Sequence, residues 1–439
     1  IPLILSISNY GYWQLYMFYI TYIGFFSLGY NDGILLKYGK KTYSELPFSR
    51  IRLSMYIFIF MLILFSISSL LYAYRIEDPE KSYVMIILSA SIPLYGISGV
   101  FLHVLLFSNK VKIYCIFSIV DAASSLFGAF FLYLFNLNSY HFLLLFTFFS
   151  KLLSVAILCI LCREFLLGKL SSFVDGIKEF FDNIKTGIFL TFAVIFSMLL
   201  SGLGRIFIEH LGSIEDFAYY SFGITILNIF TVGISAISTA LYPTLTNLST
   251  TKYAFLIEKL NDLFSFFCVI VLFSYFPAYF VVKIIFPNYA PVLSFLPILF
   301  VIILWQSNIN ILANTFCRVL RLEKKLLACN IIGVLSFILV TTFFLISSLS
   351  VNLLINISLS TFISLMISSI LLNLIINKKV GIKNNKRIYT NLFYSFLFIF
   401  MNLSFSFTTS FVIISFLTCC YFIIHRQHIS SLYSIIRKP

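Results

Sequence analysis

Lys151 and Asp121 are the residues whose chemistry is hardest to ignore in this chain. Each stands inside a long apolar run, Lys151 about 11 residues from either end, roughly 16 Å at 1.5 Å per residue. A charge that deep in a bilayer costs about 3 kcal/mol on insertion scales, so it needs a partner or a wet cavity. The two runs are consecutive and antiparallel, which puts both residues at comparable depth. They read as a structural ion pair or as groups facing a cavity, where the ammonium would meet an anionic ligand. Arg205 and Glu209, one turn apart near the end of a later run, suit a solvated rim pair or a cavity wall. Asp32, after Asn31 at the end of the first run, is an interfacial carboxylate or a binding group at the mouth of a pathway. His103, about a turn from the end of its run, is a hydrogen-bonded interior histidine or a weak candidate for a proton relay. Lys283, just before Pro287, reads as an anchor whose ammonium reaches the interface.

No catalytic constellation accompanies these residues. The chain has no Gly-rich phosphate loop and no His/Asp/Ser grouping in a loop. Its eight cysteines are scattered, and the close pairs Cys159/Cys162 and Cys419/Cys420 lack the second half of a zinc or redox framework. No metal, cofactor or enzymatic activity is expected.

The elements that must position these side chains follow from composition. Of 439 residues, 60% are hydrophobic and only 10% charged, against about 25% charged in soluble domains. That balance excludes a soluble enzyme or a nucleic-acid binder. Long apolar runs give thirteen candidate spans, near 12–34, 53–74, 83–107, 113–135, 140–162, 186–208, 217–241, 263–285, 292–314, 326–347, 351–376, 389–406 and 409–425. The net charge of +14 is explained by where the basic residues fall. Alternate loops carry Lys37, Lys40, Lys41, Arg50 and Arg52; Lys110 and Lys112; Arg163, Lys169, Lys178 and Lys185; Lys252 and Lys259; Arg318, Arg321, Lys324 and Lys325; and Lys378, Lys379, Lys383, Lys386 and Arg387. The tail adds Arg426, Arg437 and Lys438, and this face is then cytoplasmic. The opposite loops are short and hold Arg75 and Lys81 among Glu77, Asp78 and Glu80, then Glu215 and Asp216. Thirteen spans put residues 1–11 outside and the C-terminus inside. The opening Ile1–Pro2, without methionine or a signal-like n-region, is expected to follow a missing first helix, which would place both termini inside.

Between the fifth and sixth spans, Leu166, Leu170, Phe173, Ile177, Phe180 and Ile184 recur every three or four residues, with Lys169, Asp175, Lys178, Glu179 and Asp182 on the remaining faces. This predicts an amphipathic interfacial helix joining two halves. A weak repeat supports two halves: Ile7, Asn9, Tyr10, Gly11, Tyr12 and Trp13 align with Ile214, Asp216, Phe217, Ala218, Tyr219 and Tyr220. The expected division is an N-lobe at 1–163 lacking its first helix, a cytoplasmic connector at 164–185, a C-lobe at 186–376, and two additional helices with a tail at 377–439. Duplicated bundles suit a transporter with its site between the repeats.

The stretch GYWQLYMFYITYIGFFSLGYNDGILLKYGK, residues 11–40, resembles the second-helix signature of the polysaccharide-export flippases, which translocate O-antigen and other lipid-linked oligosaccharides. SGLGRIFIEHLGSIEDFAYYSF, residues 201–222, resembles the junction of that family's seventh and eighth helices. The resemblance implies an all-α polytopic fold shared with multidrug exporters: two pseudo-symmetric six-helix lobes plus two extra helices, with 14 spans in a complete chain. It implies a bacterial inner-membrane protein that flips an undecaprenyl-pyrophosphate-linked O-antigen or capsule repeat unit by alternating access. The implied partners are the lipid-linked oligosaccharide, membrane lipid, a polysaccharide polymerase and a chain-length regulator. In that fold Tyr12, Trp13 and Gln14 enter a cavity helix, suited to sugar stacking. Lys151, Asp121, Arg205, Glu209 and Asp32 are then candidate substrate contacts. Two other classes stand beside this reading. One is a multidrug or cation-coupled small-molecule exporter of the same fold, favoured by an anionic cavity. The other is a sugar polymerase, which would need a long polar outer loop where every outer loop here is short.

Overall fold

The computed structural model describes residues 1–39, 45–107, 110–246, 267–311, 322–347, 352–382 and 386–424, together with 257, 264, 316, 317, 319 and 320. Lys40, Lys41, Lys252, Lys259, Arg318, Arg321, Lys383, Arg426, Arg437 and Lys438, all used above to assign sidedness, lie outside the described residues. Every described element is helical, and each of the thirteen apolar runs contains a helix. Eight helices are individually long and apolar enough to cross a membrane. A ninth crossing is available to the pair Pro287–Ser294 and Leu296–Ile311, which is bent by 66°. The chain separates into two compact units, Ile1–Ile195 and Phe196–Pro439.

The first unit contains α1 (Ile7–Ile20), α2 (Tyr30–Tyr38), α3 (Phe48–Ala73), α4 (Pro79–Phe107), α5 (Val111–Leu134), α6 (Tyr140–Leu161) and the start of α7 (Phe173–Leu211). The run expected as one span at 12–34 is broken. A 3-10 turn at Ile23–Ser27 separates α1 from α2, and the chain then turns through left-handed conformations at Leu28 and Gly29, with φ of 47° and 87°. Gly29 tolerates that angle because it has no Cβ. The same residue, with Gly33 one turn on, lets α2 pass backbone-to-backbone across α7. A methyl on Gly33 would strike the carbonyl of Asn183, and one on Gly187 would strike the carbonyl of Gly29. Such small-residue crossings are how helices pack closely in lipid.

Residues 173–185, the larger part of the expected connector, run straight into the following span as the single 39-residue helix α7. A serine N-cap starts it: Ser172 Oγ accepts from the Asp175 amide and donates to Asp175 Oδ2. The preceding chain is pinned to α3. The buried Arg52 guanidinium donates to the carbonyls of Glu164 and Lys169, and Tyr56 donates to Leu166. Arg52 thus serves as an internal clamp, beyond its contribution to the charge of that loop.

The second unit contains the rest of α7, then α8 (Ile214–Thr246), α9 (Tyr275–Ile285), α10 (Leu296–Ile311), α11 (Glu323–Ile346), α12 (Leu353–Val380), α13 (Lys386–Ser404) and α14 (Phe407–Ile424). Helix α10 is apolar on all sides through Trp305 and buried along nearly its whole length, as a central helix must be. Helix α12 buries a polar row instead: Ser360, Ser364, Ser368, Ser369 and Asn373. Ser369 Oγ and Asn373 Nδ2 both donate to Asn308 Oδ1 of α10, at 2.9 and 2.7 Å, and Ser364 donates to the Gly333 carbonyl of α11.

The repeat has a structural counterpart at its starting point. Ser6 caps α1 by accepting from the Asn9 amide, and Ser213 caps α8 by accepting from the Asp216 amide. The aligned aromatics Tyr10 and Phe217 are both buried.

Candidate functional site

Helix α4 shapes the middle of the first unit. Pro93 lacks an amide hydrogen, so the carbonyl of Ser89, four residues earlier, has no helical donor. Ser66 of α3 supplies the missing hydrogen bond at 2.7 Å. Around this point α4 presents Ser91 and Tyr95. Tyr16 of α1 lies 3.2 Å from Ser91 Oγ. Tyr95 lays its ring under the Lys151 ammonium, 4.6 Å from nitrogen to ring centroid.

Lys151, on α6, is buried, with 6% of its side chain exposed, and its Nζ stands 2.5 Å from Asp121 Oδ2 on α5. Asp121 keeps 28% exposure. The structure therefore joins the two deep charges, and the aromatic face beneath the ammonium offsets part of its desolvation. The cluster is cationic at its buried end, hydroxyl- and phenol-lined beside it, and closed by one carboxylate. Tyr16, Ser91 and Tyr95 were missed in the sequence. The available signal was Ser91 and Tyr95 at i and i+4 on one helix face, interrupted by a proline.

A second cluster unites two residues that the sequence had left apart. Asp32 of α2 accepts a hydrogen bond from Thr191 of α7 at 2.5 Å through Oδ2, and its Oδ1 lies 4.0 Å from His103 Nε2 on α4. His103 Nδ1 is 2.8 Å from the Gly99 carbonyl. Thr191 lies one turn beyond Gly187, so the glycine crossing of α2 on α7 sets this contact.

The aromatic entry to α1 is not a free platform. Tyr12 donates to Asp78 at 3.0 Å and stacks on Tyr140, with ring centroids 5.2 Å apart. Trp13 is buried beside Tyr16, and Gln14 donates to Tyr10 at 2.8 Å. Tyr140 donates to Glu80, whose carboxylate also lies 3.3 Å from His141. At the other end, Lys37 and Tyr38 of α2 both donate to Glu179 of α7, at 2.8 and 2.7 Å. Burial first, then that carboxylate, holds the Tyr38 phenol well above the ordinary tyrosine range.

Arg205 and Glu209 lie on the part of α7 that belongs to the second unit, both half-buried. The adjacent Gly204 lets α7 approach Tyr220 of α8 and Thr361 of α12. Lys283 is exposed on the last turn of α9. Among the described residues, no group of three His, Cys, Asp or Glu side chains could hold a metal ion.

Residues 3–249, more than half of the chain, match the family described as polysaccharide biosynthesis protein. The chain belongs to the polysaccharide biosynthesis protein family. Two solved structures share its fold. The lipid II flippase MurJ in an inward closed conformation superposes with a TM-score of 0.61 at 15% identity, covering 97% of this chain and 94% of the other. An outward-facing multidrug resistance MATE family transporter of the MOP superfamily gives 0.57 at 12% identity, covering 87% of this chain and 94% of that one. None of the curated proteins matches. This member of the polysaccharide biosynthesis protein family is thus a multi-pass membrane protein whose fold is shared by a solved flippase and a solved transporter.

Proposed function

We propose that this chain flips an undecaprenyl-pyrophosphate-linked oligosaccharide, an O-antigen or capsule repeat unit, across the bacterial inner membrane by alternating access. A polyprenyl tail stays in lipid during such a step, while the diphosphate and sugars need a polar route with cations for the phosphates. The observation that carries the reading is Lys151. It is a cation at mid-span, neutralised by one carboxylate that is itself partly open, with tyrosine and serine hydroxyls alongside. In this proposal the diphosphate takes the ammonium over from Asp121. Asp32, Tyr12, Trp13 and Gln14 are secondary contacts within the first unit, and Arg205 and Glu209 are candidate contacts within the second. A polysaccharide polymerase and a chain-length regulator would act on the product.

Disrupting the gene should abolish surface polysaccharide and leave lipid-linked units accumulating on the cytoplasmic side. Normal surface polysaccharide together with new drug sensitivity would overturn the proposal. The second reading, a multidrug or cation-coupled exporter, would then take its place, and the likeness to the multidrug transporter keeps it in view.

A further inference from the structure

We propose that the connector and the first turns of α7 form a built docking surface for anionic phospholipid. Leu167, Leu170, Phe173, Val174 and Phe181 are turned outward, each between 51% and 74% exposed. On α7, Val174, Lys178, Phe181 and Lys185 follow one another at intervals of four, three and four residues, which sets them on one stripe of the helix. All four are exposed, while Gly176, Glu179, Phe180, Asn183 and Gly187 on the opposite face are buried. Apolar side chains are costly in water and lysines are costly in hydrocarbon. A stripe that alternates them fits the boundary between headgroups and acyl chains.

The depth of this surface follows from what holds it. Helix α3 has 26 residues, a length of about 39 Å at 1.5 Å per residue. A hydrocarbon core is about 30 Å thick, so the first turns of α3, with Arg50 and Arg52, reach into the headgroup layer. The connector is bonded to those turns. Arg52 donates to the carbonyls of Glu164 and Lys169, Tyr56 donates to that of Leu166, and the Ser171 amide donates to the Ser49 carbonyl at 3.2 Å. Gly168, at a φ of 128°, lies so close to the Arg52 guanidinium that a methyl group there would strike it. The loop is therefore fixed at headgroup depth with its side chains already displayed.

Charge selects the headgroup. Residues 163–185 contain four acidic and four basic side chains. Three of the acids are engaged within the protein: Glu179 is buried against Lys37 and Tyr38, Asp182 lies 3.9 Å from Lys37, and Asp175 accepts from Ser172. The fourth, Glu164, follows Arg163 directly. Lys169, Lys178 and Lys185 are exposed among the outward apolar side chains, so this face is positive. Each basic residue near an anionic membrane surface favours it by about fivefold. A phosphatidylglycerol headgroup complements three lysines, whereas a zwitterionic one sets its own ammonium against them.

This surface is independent of the transported substrate, and it is tested on the full chain in nanodiscs. Phe173→Trp places an indole on the surface, and its fluorescence is read as the difference from the parent protein, which carries Trp13 and Trp305. Phosphatidylcholine is then replaced stepwise by acyl-brominated phosphatidylglycerol or by acyl-brominated phosphatidylcholine. Quenching should favour phosphatidylglycerol by about threefold or more, and the preference should weaken as NaCl rises from about 0.05 to 0.5 M. Lys169→Gln/Lys178→Gln/Lys185→Gln in the same background should abolish it. Tyr72→Trp, at the far end of α3, should be quenched by both lipids alike. Equal quenching by the two lipids at Phe173→Trp, a preference that survives the triple change, or an equal preference at Tyr72→Trp would overturn the proposal. So would an absence of quenching by either lipid, which would mean that protein covers this face. Leu167→Trp, on the connector itself, repeats the measurement if Phe173→Trp fails to fold.

Discussion

Removing the Asp121 carboxylate should be far more damaging than removing the Lys151 ammonium, and removing both should be mild. Asp121→Asn leaves an ammonium with only 6% of its side chain exposed and the Tyr95 ring as its remaining support. Stranding a buried charge costs about 3 to 5 kcal/mol, and the Tyr95 ring supports the ammonium before and after the change alike, so a loss of about 3 kcal/mol or more is expected. Lys151→Met strands a carboxylate that keeps 28% exposure, and water or a neighbouring hydroxyl can reach it, so the loss should be about 1 kcal/mol. With both changes no charge remains, the methionine fills most of the lysine's volume, and stability should return to within about 1 kcal/mol of wild type. Unfolding by SDS titration in mixed micelles would measure the cycle. Single losses that simply add, with an interaction energy within about 0.5 kcal/mol of zero, would refute the reasoning. A transport assay on the same four proteins then tests the function. The double variant should be stable yet inactive if Lys151 receives the diphosphate, and near wild-type transport by it would remove Lys151 from the route.

Gly33→Ala should cost about 3 kcal/mol or more, because its new methyl meets the Asn183 backbone, whereas Gly24→Ala, with open space around it, should change stability by less than about 0.5 kcal/mol; thermal unfolding in detergent compares them. Ser66→Ala leaves the Ser89 carbonyl without a donor and should cost about 1 to 2 kcal/mol, but almost nothing when combined with Pro93→Ala, which restores the helical amide; a double-mutant cycle reads the difference. Single cysteines at Lys178 and Lys378 should resist an impermeant thiol reagent in intact cells, while one at Lys81 should react; ready labelling at Lys178 would reverse the assigned sidedness.

The spans were legible because hydropathy is a local property. Lys151 and Asp121 were legible as partners for a related reason: two consecutive antiparallel runs fix depth from residue counting alone. Asp32 and His103 were singled out separately, but their meeting depends on how α2 lies against α4, which no local pattern encodes. Arg52 shows another limit. Counted as one of several topogenic charges, it is buried and bonded to two carbonyls of the connector, and charge counting cannot distinguish the two roles. The break between α1 and α2 was hidden because the turn at Leu28 and Gly29 is short and lies between the apolar stretches Phe25–Phe26 and Ile34–Leu36, which read together as one run. Averaging also concealed the polar row of α12, whose serines are diluted by leucine and isoleucine.

That polar row bears on how the chain is made. Ser358, Ser360 and Thr361 each return their hydroxyl hydrogen to the carbonyl four residues back, so they satisfy their own donors while α12 is still alone in lipid. Asn373 also donates to the Ser369 carbonyl of its own helix, but its 2.7 Å bond to Asn308 Oδ1 forms only when α10 and α12 meet. Ser358, Ser360 and Thr361 therefore make α12 inexpensive to insert, and the Asn308–Asn373 bond adds a gain that only the correct neighbour supplies. Insertion and assembly become separate events within one helix, governed by different residues, and a defect at Asn373 should produce a chain that is integrated into the membrane but misassembled.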